Sequence, residues 1–168
     1  MGKATREAFG EAIVALAEDD LSIVVLDADL SKSTNTQNFM KKYPERHFEL
    51  GIAEQNMIGV GAGLALCGKV PFVTSFACFL IGRLETIRVS AAYNRTNLKL
   101  VGTHAGIGIG DDGTSQMALE DVAAMRALPH MVVLQPADAE ETKQAVAWAA
   151  KHVGPVYLRL TRQKMEDV

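Results

Sequence analysis

The sequence predicts an α/β fold: a doubly wound, mostly parallel sheet with helices on both faces. Short runs of Val, Ile and Leu alternate with helix-periodic segments along the whole chain. The runs lack polar alternation, which is typical of parallel strands covered on both faces. The 168 residues, 48% hydrophobic and 22% charged, have the balance of a globular protein. Because no repeat or linker divides them, residues 1–168 are predicted to form a single domain.

The first half of the chain opens with a helix predicted over Thr5–Glu18. Its apolar residues at positions 8, 9, 12, 13 and 16 share one helical face, and Thr5 is the predicted N-cap. A buried strand, Ile23–Leu26, follows and ends in Asp27-Ala28-Asp29. Phe48–Ile52 is the second predicted strand, and Glu54–Cys67 is the helix after it.

The second half continues the same alternation. Pro71–Ser75 is the third predicted strand, followed by a helix over Phe79–Tyr93. Leu98–Gly102 is a strand that runs into a glycine-rich loop. The remaining predicted elements, in order, are the helix Met117–Leu128, the strand Met131–Leu134, the helix Asp138–His152 and the strand Val156–Leu160.

Composition argues against several classes of partner. The net charge is −3 and the 17 basic residues are scattered, so nucleic acid is not an expected partner. The longest apolar run, Ile58–Cys67, is too short to span a membrane, and the N-terminus has no signal-peptide pattern. Cys67 and Cys78 lie in apolar stretches and are interpreted as reduced core residues of a cytoplasmic protein.

Polar and aromatic side chains gather where the predicted strands end. In a doubly wound sheet, ligands bind outside the carboxyl ends of the strands. The polar residues at those ends are Asp27, Asp29, Glu54, Ser75, His104 and Asp112. Phe76 and Phe79 follow the third strand, where they serve either as core residues or as walls for an aromatic ligand.

Glu54 is the most informative of these residues, because it opens a helix that is otherwise uncharged from Met57 to Leu66. A buried carboxylate is costly unless a partner stabilises it. One interpretation is a helix N-terminal acid, favoured by ~0.3–1 kcal/mol through the helix dipole. The other is a buried acid with a perturbed pKa that faces a ring nitrogen of a ligand.

The loop Thr103–Gly113 is long, glycine-rich and acidic. Gly108, Gly110 and Gly113 formally match the G-x-G-x-x-G dinucleotide fingerprint. That interpretation fails because two carboxylates would face the pyrophosphate and no acid ends the next strand. A plain surface loop and a loop that lines a site with His104 and an Asp both stay open. A metal site of His104, Asp111 and Asp112 fits no established ligand spacing.

Two helical glycines, Gly59 and Gly63, are four residues apart and lie on one face of the helix after Glu54. Each costs about 1 kcal/mol of helix stability relative to Ala. The usual reason is the close approach of another backbone, which belongs either to this domain or to a second subunit.

Five segments, in this order and at this spacing, resemble the central pyrimidine-binding domain of the transketolase family of thiamine-diphosphate enzymes. The resemblance covers nearly the whole chain, and together the segments are highly specific. They are Asp27-Ala28-Asp29-Leu30-Ser31-Lys32-Ser33, Gly51-Ile52-Ala53-Glu54-Gln55-Asn56-Met57, Ser75-Phe76-Ala77-Cys78-Phe79, Thr103–Gly113 and Leu160-Thr161-Arg162-Gln163.

The resemblance implies cofactor-binding roles for four residues. Glu54 is expected to hydrogen-bond N1′ of the aminopyrimidine and promote the imino tautomer that generates the ylid. Burial suits this role, because it raises a carboxyl pKa and lets the group donate. Phe76 and Phe79 are expected to form the pyrimidine pocket, and Asp29 to lie near the cofactor.

The resemblance also implies the substrate site. His104, the second expected catalytic residue, and Asp112 match groups that hold sugar hydroxyls. Arg6, Ser33 and Arg162 match groups that hold a sugar phosphate, for which arginine is well suited. Gln116, also expected at the substrate, stands where many family members carry His. A Gln at this position resembles the version found in animal transketolases.

The rest of the family's machinery is not found in this sequence. The diphosphate-binding segment and the third, carboxyl-terminal domain have no counterpart here. The chain is therefore expected to pair with a diphosphate-binding domain or subunit, which holds Mg²⁺ or Ca²⁺, in a homodimer or hetero-assembly. Alone it is expected to be inactive. Deoxyxylulose-phosphate synthase, the beta subunit of a 2-oxo acid dehydrogenase and a non-catalytic pairing domain are the alternatives. Arg6, Ser33, His104 and Arg162 favour sugar phosphates as substrates.

Overall fold

A computed structural model of the chain describes residues 2–166 and confirms the predicted parallel α/β architecture. Six strands form one sheet in the order β2-β1-β3-β4-β6-β5, and every neighbouring pair is parallel. The strands are β1 Ile23–Asp27, β2 His47–Glu49, β3 Val70–Phe76, β4 Lys99–Thr103, β5 Val132–Leu134 and β6 Val156–Arg159.

Helices cover both faces of this sheet, as the sequence predicts. They are α1 Thr5–Asp19, α2 Ser31–Thr34, α3 Gln37–Lys42, α4 Glu54–Leu66, α5 Ala77–Ile81, α6 Leu84–Ile87, α7 Asp121–Arg126 and α8 Ala139–Lys151. Helices α1, α3 and α8 pack on one face, and α4 to α7 pack on the other. The apolar run of β1 is unbroken because its residues alternate between the two faces. Ile23 and Val25 pack in the core under α1, α3 and α8, whereas Val24 and Leu26 pack in the core under α4 to α7.

The predicted helix over Phe79–Tyr93 is wrong in its continuity. The segment forms α5, then α6, and then a π-helical turn over Arg88–Tyr93. The chain turns at Gly82, which ends α5, and a second deviation follows where Thr96 Oγ1 donates to the Ser90 carbonyl at 3.0 Å. Apolar periodicity does not detect such breaks, because the apolar face stays in register on either side of each bend.

Other predicted elements are shorter than expected or new. The helix predicted over Met117–Leu128 is α7 alone, preceded by a 3₁₀ turn over Thr114–Gln116. The strand predicted over Phe48–Ile52 stops at Glu49, because Gly51 has a φ of +69° and bends the chain toward α4. Helices α2 and α3 arise in a polar stretch for which the sequence predicted no element.

Two residue assignments also change. Helix α1 begins at Thr5 with Ala4 as its N-cap, and Thr5 Oγ1 instead accepts a hydrogen bond from the Thr161 backbone N–H at 2.8 Å. This contact ties α1 to the segment that carries Arg162. Cys67 is exposed at the end of α4 rather than in the core, whereas Cys78 is half-buried.

The switch point of the sheet lies between β1 and β3. From β1 the chain moves to β2 at the edge, and then returns to place β3 on the other side of β1. The carboxyl ends of β1, β3 and β4 therefore open onto one crevice, which is where such sheets bind ligands. Among the helices of the described part of the chain, none has both the length and the apolarity needed to cross a bilayer.

Candidate active site at the carboxyl edge of the sheet

Asp27 organises the loop that leaves β1. Its buried carboxylate accepts hydrogen bonds from two backbone amides, Ala28 N at 2.9 Å and Leu30 N at 2.8 Å. Three hydroxyls also lie within hydrogen-bonding distance, those of Thr34, Thr36 and Thr74, at 2.7–2.8 Å. These donors hold the segment that carries Asp29 and Ser33 against the end of β3.

Glu54 is the first residue of α4 and is only 6% exposed. The Ser75 hydroxyl, from the neighbouring strand β3, donates to its Oε1 at 3.1 Å. The carboxyl group also lines an open depression of about 550 Å³, together with Gln55, Asn56 and Gly59. Glu54 thus lies at a helix N-terminus, as the first interpretation expects, and it also borders a space large enough for a ring.

Three rings stack near the carboxyl ends of β3 and β4. The ring centroids of Phe76 and Phe79 are 5.4 Å apart, and the two rings are nearly parallel, with 5° between their planes. The imidazole of His104 stacks on Phe76 with a centroid distance of 3.8 Å and an angle of 25°. Phe76 is buried whereas Phe79 is half-buried, so the column has a buried core and an accessible end.

His104 is held in one tautomer by its neighbours. The Thr103 hydroxyl donates to the Ser75 carbonyl at 3.3 Å, so it accepts from His104 Nδ1–H at 2.9 Å. His104 Nε2 then accepts from Arg6 Nη1 at 3.3 Å, because a guanidinium only donates. Burial, followed by the charge of Arg6, lowers the pKa of His104 from 6.5 to about 4, so the ring is neutral near pH 7.

Arg6 reaches this edge from α1. Its Nη1 donates to the Ser33 carbonyl at 2.7 Å, and burial lowers its pKa. Its Nε is buried and has no hydrogen-bond partner among residues 2–166. A buried donor without a partner is rare in folded proteins, and it fits a position at which a guanidinium meets an anionic ligand.

One hydrogen-bonded series therefore joins residues from five parts of the chain. Ser75 donates to Glu54 through its hydroxyl and accepts from Thr103 through its backbone carbonyl, so the series passes through the backbone of Ser75. From Thr103 it continues to His104 and Arg6, and it ends at the Ser33 carbonyl. The sequence pointed to Glu54, His104, Arg6 and Ser33 but assigned no role to Ser75 or Thr103. Two sequence positions indicate that these residues lie near the site: Ser75 is at the end of a predicted strand, and Thr103 comes one residue before His104.

The glycine-rich loop lies over Arg162. Arg162 Nη1 donates to the Ile109 carbonyl, and a depression of about 380 Å³ is lined by Ile107, Gly108, Gly110, Arg162 and Gln163. The charges of Arg162 and Asp112 both affect the pKa of His104: the arginine lowers it and the aspartate raises it. These two residues therefore belong to the same electrostatic environment as Arg6 and His104.

The remaining expected residues lie at the margin of this site. Asp29 is exposed, with a φ of +60°, and its backbone N–H donates to Glu49 Oε1 at 2.7 Å. Gln116 is half-buried, and its Oε1 accepts from the Ser115 hydroxyl at 2.7 Å. Within residues 2–166 no hydrogen bond joins either side chain to the series from Glu54 to Arg6, and no group of three His, Cys, Asp or Glu is arranged to hold a metal ion.

Comparison with known proteins identifies the family. The model of the family "Transketolase, pyrimidine binding domain" matches residues 1–167. A putative transketolase C-terminal section from Methanocaldococcus jannaschii is 49% identical over 167 residues, which are 99% of this chain and 53% of that protein. Transketolase-like protein 2 of Mus musculus is 44% identical over 162 residues, 96% of this chain and 26% of its own length.

A solved structure gives the same result. The structure described as "Split gene transketolase, inactive beta4 tetramer" superposes with a TM-score of 0.90 at 52% identity. It covers 99% of this chain, whereas this chain covers 54% of it. The chain thus spans about half the length of two of these relatives and about a quarter of the third. By sequence and by fold, the chain belongs to the transketolase family and corresponds to its pyrimidine-binding domain.

Proposed function

We propose that this chain supplies the pyrimidine-binding half of a thiamine-diphosphate-dependent transketolase, which transfers two-carbon ketol units between sugar phosphates. The hydrogen-bonded series from Glu54 to Arg6 carries the proposal. At one end a buried acid borders a depression large enough for a ring, and at the other a guanidinium offers positive charge to an anion. Family membership makes thiamine diphosphate the expected cofactor.

The residues present fit the aminopyrimidine part of that cofactor. Phe76 and Phe79 offer stacked aromatic faces, and the Ser75 hydroxyl orients the Glu54 carboxyl group beside the depression. In the proposal Glu54 holds the ring nitrogen and moves a proton at its carboxyl oxygen, while Asp29 lies at the border of the cofactor site. When bound, the cofactor supplies the carbon nucleophile that breaks and forms the carbon–carbon bond.

The substrate side of the site follows from its charges. Arg6, Arg162 and the Ser33 region bind the phosphate, with the buried Arg6 Nε as a ready donor. His104 acts on the sugar hydroxyls through Nε2, the ring nitrogen that the contacts with Arg6 and Thr103 assign as the acceptor, and Nε2 can accept a hydroxyl proton once Arg6 turns to the phosphate. Asp112 and Gln116 contribute further polar contacts from the loop.

The partner in this proposal is a diphosphate-binding domain or subunit that holds the divalent metal, Mg²⁺ or Ca²⁺. One relative is described as a split-gene transketolase in an inactive beta4 tetramer, which supports self-association of this half and a need for the other. The exposed Gly59 and Gly63 face of α4 is where we place the contact, since a Cβ at either glycine would meet no atom within 4 Å. The isolated chain is then inactive.

Reconstitution tests the proposal. The chain is mixed with a separately produced diphosphate-binding subunit, thiamine diphosphate and Mg²⁺, with the third domain restored where the chain lacks it. Ketol transfer from a ketose phosphate to an aldose phosphate is the expected activity, absent from either component alone. Use of pyruvate in place of the ketose phosphate would instead indicate one of the related enzymes, and no turnover with any donor would favour a pairing domain without catalysis.

A further inference from the structure

Arg162 is packed against the backbone of the glycine-rich loop. Its Nη1 donates to the Ile109 carbonyl, and the next residue in the loop is Gly110. A Cβ added at Gly110 would collide with the Arg162 guanidinium, and one added at Gly108 would collide with the Gln163 side chain. The absence of side chains at these two glycines is therefore what lets Arg162 and Gln163 lie under the loop.

We propose that Gly110 is a positioning residue for Arg162: with the Ile109 carbonyl, it seats the guanidinium so that its remaining N–H groups meet the phosphate of a substrate. The proposal deepens the proposed function, since it rests on a phosphate site at Arg162. Nη1 donates to the loop, and within residues 2–166 Nε and Nη2 make no hydrogen bond, so their N–H groups are free for an anion. A guanidinium held at one end loses little freedom on binding an anion.

The loop offers its own control. Gly110 and Gly113 both have a positive φ, +80° and +77°, so an alanine at either position is strained. At Gly113, however, an added Cβ would meet nothing within 4 Å. Gly110→Ala therefore adds a clash with Arg162 to a backbone strain that Gly113→Ala carries alone. Because the clashing atom ends a flexible side chain, Arg162 is expected to move while the fold is kept.

The first test uses the chain itself with inorganic phosphate as the probe. Phosphate is titrated while the arginine Nε–Hε resonances are followed by NMR. We expect Gly110→Ala and Arg162→Ala each to raise the half-saturating phosphate concentration about tenfold, the loss of one charge-assisted contact. Gly113→Ala is expected to bind like the wild type. Equal phosphate binding by Gly110→Ala and Gly113→Ala would overturn the role of Gly110.

The second test uses the enzyme assembled with its diphosphate-binding partner. Gly110→Ala should raise KM about tenfold for a phosphorylated acceptor and leave KM for the non-phosphorylated acceptor unchanged, with little effect on kcat. Gly113→Ala should not change the ratio of the two KM values. A ratio shifted by both variants alike would mean that loop strain alone is responsible.

The outcomes separate this inference from the proposed function. If Arg162→Ala weakens phosphate binding but Gly110→Ala does not, the positioning role is wrong and the phosphate site stands. If Arg162→Ala itself has no effect, the phosphate site is wrong and the positioning role fails with it. Should Gly110→Ala not fold, Arg162→Lys replaces it: a lysine keeps the charge but cannot bond Ile109 and an anion as a fork. Binding by Arg162→Lys equal to that of the wild type would overturn the proposal.

Discussion

Arg6 Nη1 lies 3.3 Å from His104 Nε2, so a permanent cation donates to a neutral imidazole. Thr103 accepts the proton on the opposite ring nitrogen, at 2.9 Å, and the two contacts together define the tautomer. Because the same guanidinium donates to the Ser33 carbonyl, one arginine links α1, α2 and the end of β4. A phosphate that attracts Arg6 would also change what His104 Nε2 faces.

The first prediction concerns the pH dependence of stability. The folded-state pKa of His104 is lowered from 6.5 to about 4, mainly by burial, so the unfolded chain binds the proton more tightly. The lowered pKa of His104 therefore contributes on the order of 1–3 kcal/mol to the free energy of unfolding. This contribution is fully present above pH 6.5 and is lost as the pH falls toward 4. Burial also lowers the pKa of His47, which acts in the same direction.

NMR titration of the individual histidines and denaturant unfolding at several pH values would check this prediction. His104 should titrate near pH 4, and a His104→Gln variant should lose less stability between pH 6.5 and 4 than the wild type. A His104 that titrates at its ordinary value would contradict the burial and the Arg6 contact described above.

The second prediction concerns Glu54. In the assembled enzyme, Glu54→Gln should slow exchange of the bound cofactor's C2 proton by at least about a hundredfold, roughly 3 kcal/mol. Glutamine keeps the size of the side chain but cannot take up and release a proton at the ring nitrogen. Hydrogen–deuterium exchange of the cofactor measures the effect.

The control for this change is Glu140→Gln, which removes an exposed acid from the first turn of α8. If Glu54 serves only the helix dipole, both variants should lose at most about 1 kcal/mol of stability and leave exchange alone. A lowered melting temperature with unchanged exchange would therefore make Glu54 a structural residue.

The third prediction concerns Arg162. In the assembled enzyme, Arg162→Ala should weaken binding of phosphorylated substrates about tenfold or more relative to non-phosphorylated ones, the loss expected for a charge-assisted contact of ~1.5–3 kcal/mol. Steady-state kinetics with paired acceptors gives the ratio, and Arg126→Ala, on the exposed side of α7, is the control. Equal losses for both acceptors would remove Arg162 from the phosphate site.

The fourth prediction concerns association through α4. Gly63→Leu should weaken self-association or pairing, because the exposed glycine face leaves room for a close partner. The monomer itself should become slightly more stable, since glycine costs about 1 kcal/mol in a helix. Sedimentation over a range of concentrations measures association. Gln144→Leu, exposed on α8 across the sheet, should not change it. A chain that stays monomeric at high concentration would rule out self-association.

The fifth prediction concerns Asp27. Asp27→Asn should reduce the free energy of unfolding by about 3 kcal/mol, because an amide cannot accept all the hydrogen bonds that the buried carboxylate receives. Asp19→Asn, at an exposed position on α1, should change it by less than about 0.5 kcal/mol. Urea unfolding of the two variants makes the comparison, and similar midpoints would contradict the role given to Asp27.

Local sequence was sufficient for the class of fold. The run Ile23–Leu26 has alternate residues in two different cores, and this is why it shows no polar alternation. The predicted strand Phe48–Ile52 ran through Gly51, whereas β2 ends at Glu49 and Gly51 bends the chain with a positive φ. Local pattern failed over Phe79–Tyr93, because backbone hydrogen bonding rather than side-chain periodicity decides where a helix breaks.

The residue types at the site were visible in the sequence, but their partners were not. A carboxylate that opens an apolar helix pointed to Glu54. The family resemblance implied Arg6 and Arg162 for a phosphate and His104 for sugar hydroxyls. That Ser75 donates to Glu54, and that Thr103 sets the tautomer of His104, depends on the order of strands β1, β3 and β4. Strand order is a property of packing between distant segments, and each local segment is compatible with several orders. The sequence by itself therefore determined the class of fold and the residue types at the candidate site. Only the tertiary structure decided which of those residues contact one another.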